Sequence, residues 1–395
     1  MPVLTHWGVV TRSGCVALAL GLTLSASAAP PAAEADRVEA QLRESGMVLS
    51  DPQLSAYLAT VADPLLALAP ASAPRMRVAI LRDPASSAFA LPNGAVYVNI
   101  GALTVVEDEA QLALLLAQQM NHVALDHSAQ IAADARTKTV AAKLTQVALA
   151  PLLGLSDVAF AWSMASYARE KQAEAASAAM AWVARAGFET RAAPRLFGML
   201  GEPELQADCD ELVASGAVAG HPDGRNDSGA LRAAVAGIAL ETVRLQLALR
   251  DYDSARDGAR RAIDRYGESA KLRAYEGEAL LGNAWVPAEL PRHLQSRGRS
   301  ERDRKEADSR ELARLVERAR APLPDAERSF RRALELEPGY GPAQRGLGEV
   351  LLRDGDLAGA EVSLSTYLSA HPGALDAPLV AEMLRSIRSA SSPAP

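Results

Sequence analysis

The sequence predicts a mostly α protein of the α+β kind, in which a domain with a small sheet precedes an array of paired helices. Three observations predict it. Apolar residues make up 49% of the chain but aromatics only 4%, so its cores are built of Ala and Leu, and Ala-rich stretches favour helix. One stretch, 108–127 (DEAQLALLLAQQMNHVALDH), carries Leu112, Leu115, Leu116, Met120 and Val123 at the spacing of a buried helix. In the C-terminal half Pro338 and Pro372, like Ala326 and Ala360, stand 34 residues apart, a repeat length of stacked helix pairs.

The 395 residues leave room for two or three domains. With a net charge of −7 and no large Lys/Arg cluster, the chain has no phosphate-tracking surface, and nucleic acid is not expected as a partner. At the N-terminus Arg12, an apolar run over 14–24 and Ala26-Ser27-Ala28 make a secretory signal peptide over 1–28. The run is too short to span a bilayer of about 30 Å. Cys15 lies at the head of this run, not after it, and Arg12 stands where a lipobox has Leu, so lipidation is not expected. Cleavage leaves Cys209 as the sole cysteine and excludes an internal disulfide. The address that fits is the periplasm of a Gram-negative cell, with no transmembrane segment after cleavage.

After the Pro/Ala linker at 30–35, segments 36–47 and 51–62 read as amphipathic helices, acidic at their starts. Pro64 is expected to end or kink the second one. Segments 76–81, 88–91 and 96–100 read as short strands, the last two joined by a Pro92-Asn93-Gly94 turn. The apolar 144–164 is broken by Pro151, Gly154 and Asp157, so a buried loop or short helices are expected there instead of a membrane span. Helix resumes over 166–186 and stops at Gly187. Residues 217–228 form a turn-rich loop.

From 237 the texture is that of tetratricopeptide (TPR) units: 237–266 turning at 251–253, 270–282 with 325–338, and 341–372 turning at 354–356. Gly277-Glu278-Ala279-Leu280-Leu281 and Gly348-Glu349-Val350-Leu351-Leu352 write one helix position twice. Between the halves of the middle unit lies a charged insertion, 283–324, expected to be solvated. The domains are thus 1–28, 29–236 and 237–395.

The organising helix is odd at its middle. Gln118, Gln119, Asn121 and His122 form a polar knot in an apolar face, and burying such groups without partners costs roughly 1–3 kcal/mol each. In an HExxH helix two His on one face bind zinc and the Glu activates its water. The pentapeptide here is Gln118-Gln119-Met120-Asn121-His122. The stretch SAFALPNGAVYVNIGALTVVEDEAQLALLLAQQMNHVALDHSA resembles the HtpX-like zinc metallopeptidases, most closely the periplasmic BepA type with its C-terminal TPR domain. In that family a strand pair leads to the HExxH helix, and a further His follows at the position of His127. The family's Tyr-Ser-Arg-x-x-Glu-x-x-Ala-Asp is matched by Tyr167-Ala168-Arg169-Glu170-Lys171-Gln172-Ala173-Glu174-Ala175-Ala176, and Gly187-Phe188 fixes the register. His221-Pro222 matches the family's His-Pro loop, which can approach the metal.

The resemblance implies a zincin-like domain and assigns vestigial roles. Gln118, His122 and Gln172 stand at the ligand positions, Gln119 at the general base, and Ala176 replaces an Asp. Zinc needs three His or carboxylate ligands, and a lost general base costs roughly 10²–10⁴-fold in rate. No cofactor is therefore expected, zinc being the cofactor if the site proves functional. A rescue set drawn from His122, His221 and Glu170 or Glu174 is conceivable, although both Glu lie about 200° from Gln172 on the helical wheel and are expected to face elsewhere. Without metal, Gln118, Asn121 and Gln172 are expected to bond to one another and to His122.

The expected function is a catalytically inactive homologue of a periplasmic zinc metalloendopeptidase. It would bind peptides or act as a chaperone in outer-membrane protein quality control, with unfolded or assembling envelope proteins as partners. The alternatives are an active zinc endopeptidase with a rearranged ligand set and a TPR adaptor.

Overall fold

The computed structural model describes residues 31–127, 129–130, 169–219, 221–284, 317 and 320–391. The signal peptide, the apolar 144–164 and most of the charged insertion fall outside the described residues.

Helices α1 (Pro31–Glu44) and α2 (Pro52–Leu66) come first. Asp51 starts α2 by accepting from Gln53 N and Leu54 N, both at 3.0 Å. Pro64 neither ends nor breaks it, contrary to expectation. The helix runs on to Leu66, and the Thr60 carbonyl, which the N–H of a residue at 64 would have satisfied, accepts from Arg225 Nη1 at 2.8 Å.

Strand β1 (Arg77–Leu81) lies parallel to β3 (Ala95–Asn99), and β2 (Ala88–Ala90) antiparallel to it, in the order β1-β3-β2. Gly94 makes the turn possible. Its φ is +85°, and a Cβ there would lie 2.6 Å from the Arg75 carbonyl oxygen. Side chains alternate along the strands: Ile80, Val96 and Val98 join the main core, while Leu81, Phe89, Ala95 and Tyr97 pack with Ala35, Val38 and Leu42 of α1.

Helices α3 (Ile100–Val105) and α4 (Glu109–Ala124) follow, and every residue of α4 up to Val123 is buried. Asp108 caps α4 by accepting from Gln111 N at 2.9 Å. Helix α5 (Arg169–Arg185) lies along α4, and α6 (Arg195–Met199) and α7 (Pro203–Ala214) close the domain.

Helix α8 (Ser228–Ala248) passes through 236 and 237 without a break. The expected boundary at 237 therefore falls inside one helix. Its Leu231, Val235 and Ile238 belong to the main core, and its Val243 and Leu247 pack on the helices that follow. Those are α9 (Tyr252–Tyr266), α10 (Ala270–Asn283), α11 (Leu323–Leu336), α12 (Gly341–Asp354), α13 (Leu357–Ala370) and α14 (Ala377–Ser391). Successive helices pack on one another, and α11 and α13 begin 34 residues apart. Arg265 of α9 fastens the array to the first unit, donating to the carbonyls of Thr104, Val105 and Val106 at 2.9, 3.1 and 3.2 Å.

Candidate functional site: an amide and imidazole network between two helices

The packing of α5 against α4 brings Gln118, His122 and Gln172 to one point. Gln118 Nε2 lies 2.9 Å and His122 Nε2 3.1 Å from Gln172 Oε1. Gln118 and His122 are one helical turn apart, so both project from the same face of α4. Gln119 Nε2 reaches Gln118 Oε1 at 3.5 Å. On the other side His122 Nδ1 meets His127 Nδ1 at 3.1 Å, and His127 Nε2 lies 3.2 Å from Glu174 Oε2.

Hydrogen-bond direction limits the protonation states of this chain. If Gln172 Oε1 accepts from His122 Nε2–H, then His122 Nδ1 must accept from His127, and His127 can also donate to Glu174 only as an imidazolium. Burial holds the His127 pKa below its ordinary value, with Lys171 acting in the same direction. Burial also pushes His122 down to about 3, the bond to Gln172 only partly opposing it. Both rings are therefore neutral near pH 7.

The neutral chain is satisfied when the three amides turn over, since their oxygen and nitrogen are nearly isosteric. His127 then donates to Glu174, His122 to His127, Gln172 to both His122 and Gln118, and Gln118 to Gln119. Gln119 Oε1, which otherwise has no partner, gains a donor, and the open valence moves to the Gln119 amino group.

Two expected participants stand apart. Asn121 turns back on its own helix, Nδ2 donating to the Ala117 carbonyl at 2.8 Å, so it does not join the amide exchange expected of it. His221 is exposed, and its backbone N–H donates to Thr190 Oγ1 at 3.2 Å. A third correction concerns Glu174, expected to face elsewhere. Although 55% exposed, its side chain reaches back to His127, because three rotatable bonds offset what the helical wheel separates.

The residues present do not fit a catalytic zinc ion. Such an ion needs three His or carboxylate ligands, and the point of convergence supplies one imidazole and two neutral amides. The Glu174 carboxylate lies beyond His127. Among the described residues no group of three His, Cys, Asp or Glu is placed to hold a metal.

Sequence reasoning missed the clamp at the start of α4. Glu109 is 1% exposed and accepts from Arg225 Nε and Nη2 at 2.8 and 2.7 Å, from Tyr57 OH at 3.0 Å and from Asp227 N at 3.3 Å. An acid in a first helical turn ordinarily reads as solvated. The available signal was its position at the head of a helix apolar on every side.

The outer edge of β2 completes the site. Leu91 N–H and Asn99 N–H bond across to Ala95 and Ser87 carbonyls at 2.8 and 3.2 Å, so residues 87, 89 and 91 face β3 and the N–H and C=O groups of Ala88 and Ala90 point away from it. Strand β2 packs on α4, and among the described residues no further strand pairs with it.

Residues 52–235 match the family model of peptidase family M48, a span that includes the sheet, α4 and α5. This segment is similar to the M48 peptidases. Members of M48 are typically zinc metallopeptidases. Over 172 residues the chain is 27% identical to a Vibrio cholerae protein named as a beta-barrel assembly-enhancing protease, covering 41% of this chain and 36% of that protein. The chain thus spans about a third of the length of the curated relative it matches. The M48 match ends within α8, the helix shared with the array. No helix among the described residues is long and apolar enough to cross a membrane.

Proposed function

We propose that this protein binds polypeptides in the M48 cleft without cutting them, as a chaperone-like factor in envelope protein quality control. One observation carries the reading: neutral amides bonded to each other and to His122 stand at the ligand and general-base positions, beside a strand edge that pairs with no other strand among the described residues. Gln119 has no basic lone pair at neutral pH to take a proton from water. The Ala88 and Ala90 edge can still accept an added strand, the backbone supplying affinity and side-chain pockets specificity. In this reading Gln118, His122 and Gln172 are vestigial ligand positions, the 34-residue helix pairs are a TPR-like partner surface, and the chain works in the periplasm on unfolded or assembling outer-membrane proteins. The name of the Vibrio cholerae relative supports the client class.

The test uses the full chain, because cutting at 237 would sever α8. Fluorescein-labelled casein is expected to bind, to remain intact on a gel, and to bind more weakly to Ala88→Pro, which removes an outward N–H without touching the ladder to β3. Unchanged binding by Ala88→Pro would refute the cleft reading. The second reading, an active zinc endopeptidase with a rearranged ligand set, is favoured by the family match itself. Stoichiometric zinc in protein purified without chelator, with casein degradation lost in His122→Ala, would establish it.

A further inference from the structure

Helix α8 ends in a Schellman turn, with Arg250 N–H on the Leu247 carbonyl and Asp251 N–H on the Gln246 carbonyl, both at 2.9 Å. The residue at its left-handed position is Arg250, at φ +60°. Glycine is the usual occupant, because a Cβ is strained there. The helices ending before Gly187, Gly201 and Gly216 follow that rule, with φ of +80°, +84° and +73°. An arginine held in such a conformation points to a task for its side chain.

That side chain lines a groove of about 280 Å³ between α8, α10 and α12. It is exposed, and it has no hydrogen bond or ion pair among the described residues. The other cations of the groove are engaged. Arg345 is shared between Glu349 at 3.7 Å and Asp376 at 3.2 Å, and Arg353 donates to the Leu281 carbonyl at 2.8 Å. Tyr252 and Tyr275, both half-buried, add ring faces to the wall.

We propose that this groove is a docking site for an acidic stretch of polypeptide, with the free Arg250 guanidinium taking a carboxylate side chain in a charge-assisted pair. Charge complementarity selects the occupant: the uncompensated cation lies at the α8 end, and the tyrosines supply apolar contact beside it. The site is separate from the M48 cleft, so Ala88→Pro leaves it intact and the two readings fail independently.

The experiment follows fluorescence anisotropy of a labelled dodecapeptide of alternating Glu and Leu, and of its Gln-for-Glu counterpart, on the full chain. The Glu peptide is expected to bind about tenfold more tightly than the Gln peptide, and Arg250→Gly to weaken it about tenfold. The same variant is expected to raise the thermal midpoint, because glycine relieves the left-handed turn, so lost binding cannot be put down to lost folding. Arg250→Lys retains part of the affinity. Equal binding of the two peptides, unchanged affinity in Arg250→Gly, or a lowered midpoint in that variant would each overturn the proposal.

Discussion

The side-chain amides of Gln118 and Gln172 share a hydrogen bond of 2.9 Å, joining α4 to α5 at the point where His122 also arrives. Gln118 and His122 reach Gln172 at 2.9 and 3.1 Å, about the distance that neighbouring ligands of one ion keep, while the donor chemistry has changed. His122 presents Nε2 to that point and has Nδ1 held by His127, which is how an outer partner orients a ligating histidine. Restoring the donors should therefore restore the metal. Gln118→His with Gln172→Glu is expected to bind about one zinc per chain, measured by elemental analysis after purification without chelator. Adding Gln119→Glu is expected to produce casein cleavage. Zinc content no higher than that of the parent protein would show that the scaffold has also moved.

Protonation provides a second check. The native His122 titrates near 3 and the unfolded one near 6.5. Between these values the unfolded state carries a proton that the native state lacks, so stability is full above pH 6.5 and declines as the pH falls. One such group contributes a slope of up to about 1.4 kcal/mol per pH unit. His127 acts in the same direction with its lowered pKa. Urea unfolding of the parent and of His122→Gln between pH 7 and 5 should show the shallower slope in the variant; parallel curves would place the His122 ring in water. The window stays above the carboxylate range, where Glu39 enters. Burial would raise its pKa, but Arg77 and Arg43 hold it at about 2.

The elements legible in the sequence are those that local physics decides. The α4 period and the Pro92-Asn93-Gly94 turn are short-range signals, and each stands where its spacing put it. The meeting of Gln118, His122 and Gln172 was implied by the family resemblance, which set Gln172 at a ligand position; nothing in 108–127 alone would have found it. Long-range closure was not legible. Arg225 lies 116 residues from Glu109, in a loop whose turn residues announced only a turn. The same arginine rescues the carbonyl that Pro64 leaves open, so the expectation that Pro64 would end the helix failed for want of a partner 165 residues away, visible only in the fold. Gly237 marked a change of texture but sits mid-helix, because the apolar faces before and after it belong to two different cores.

The sole cysteine after the expected cleavage offers a probe of opening motions. Cys209 is 1% exposed, and burial, helped by Asp208 and Asp210, pushes its thiol up to about 12. Both access and thiolate are denied to a reagent in the native state. Iodoacetamide at pH 8 is expected to label Cys209 only in step with opening of α7, and at once in denaturant. Fast native labelling, followed by mass spectrometry, would contradict the packing described for α7.

The clamp at the head of α4 gives the largest expected loss of stability. Glu109 is almost wholly buried and carries a charge that Arg225 offsets through two hydrogen bonds, while the same guanidinium holds Thr60 and lies over the Phe188 ring at 5.4 Å. Removing one partner of a buried pair leaves the other charge uncompensated, at a cost of roughly 3–5 kcal/mol. Arg225→Ala is therefore expected to destabilise strongly. Glu109→Gln with Arg225→Met, which removes both charges and keeps most of the volume, should recover much of the loss. The double-mutant cycle is read from urea midpoints. Because Arg225 also bonds the Thr60 carbonyl, recovery should remain partial, and full recovery would mean that the open carbonyl at Pro64 has found water. If Arg225→Ala costs less than about 1 kcal/mol, as exposed pairs do, then Glu109 is hydrated and α4 is not anchored at its first turn.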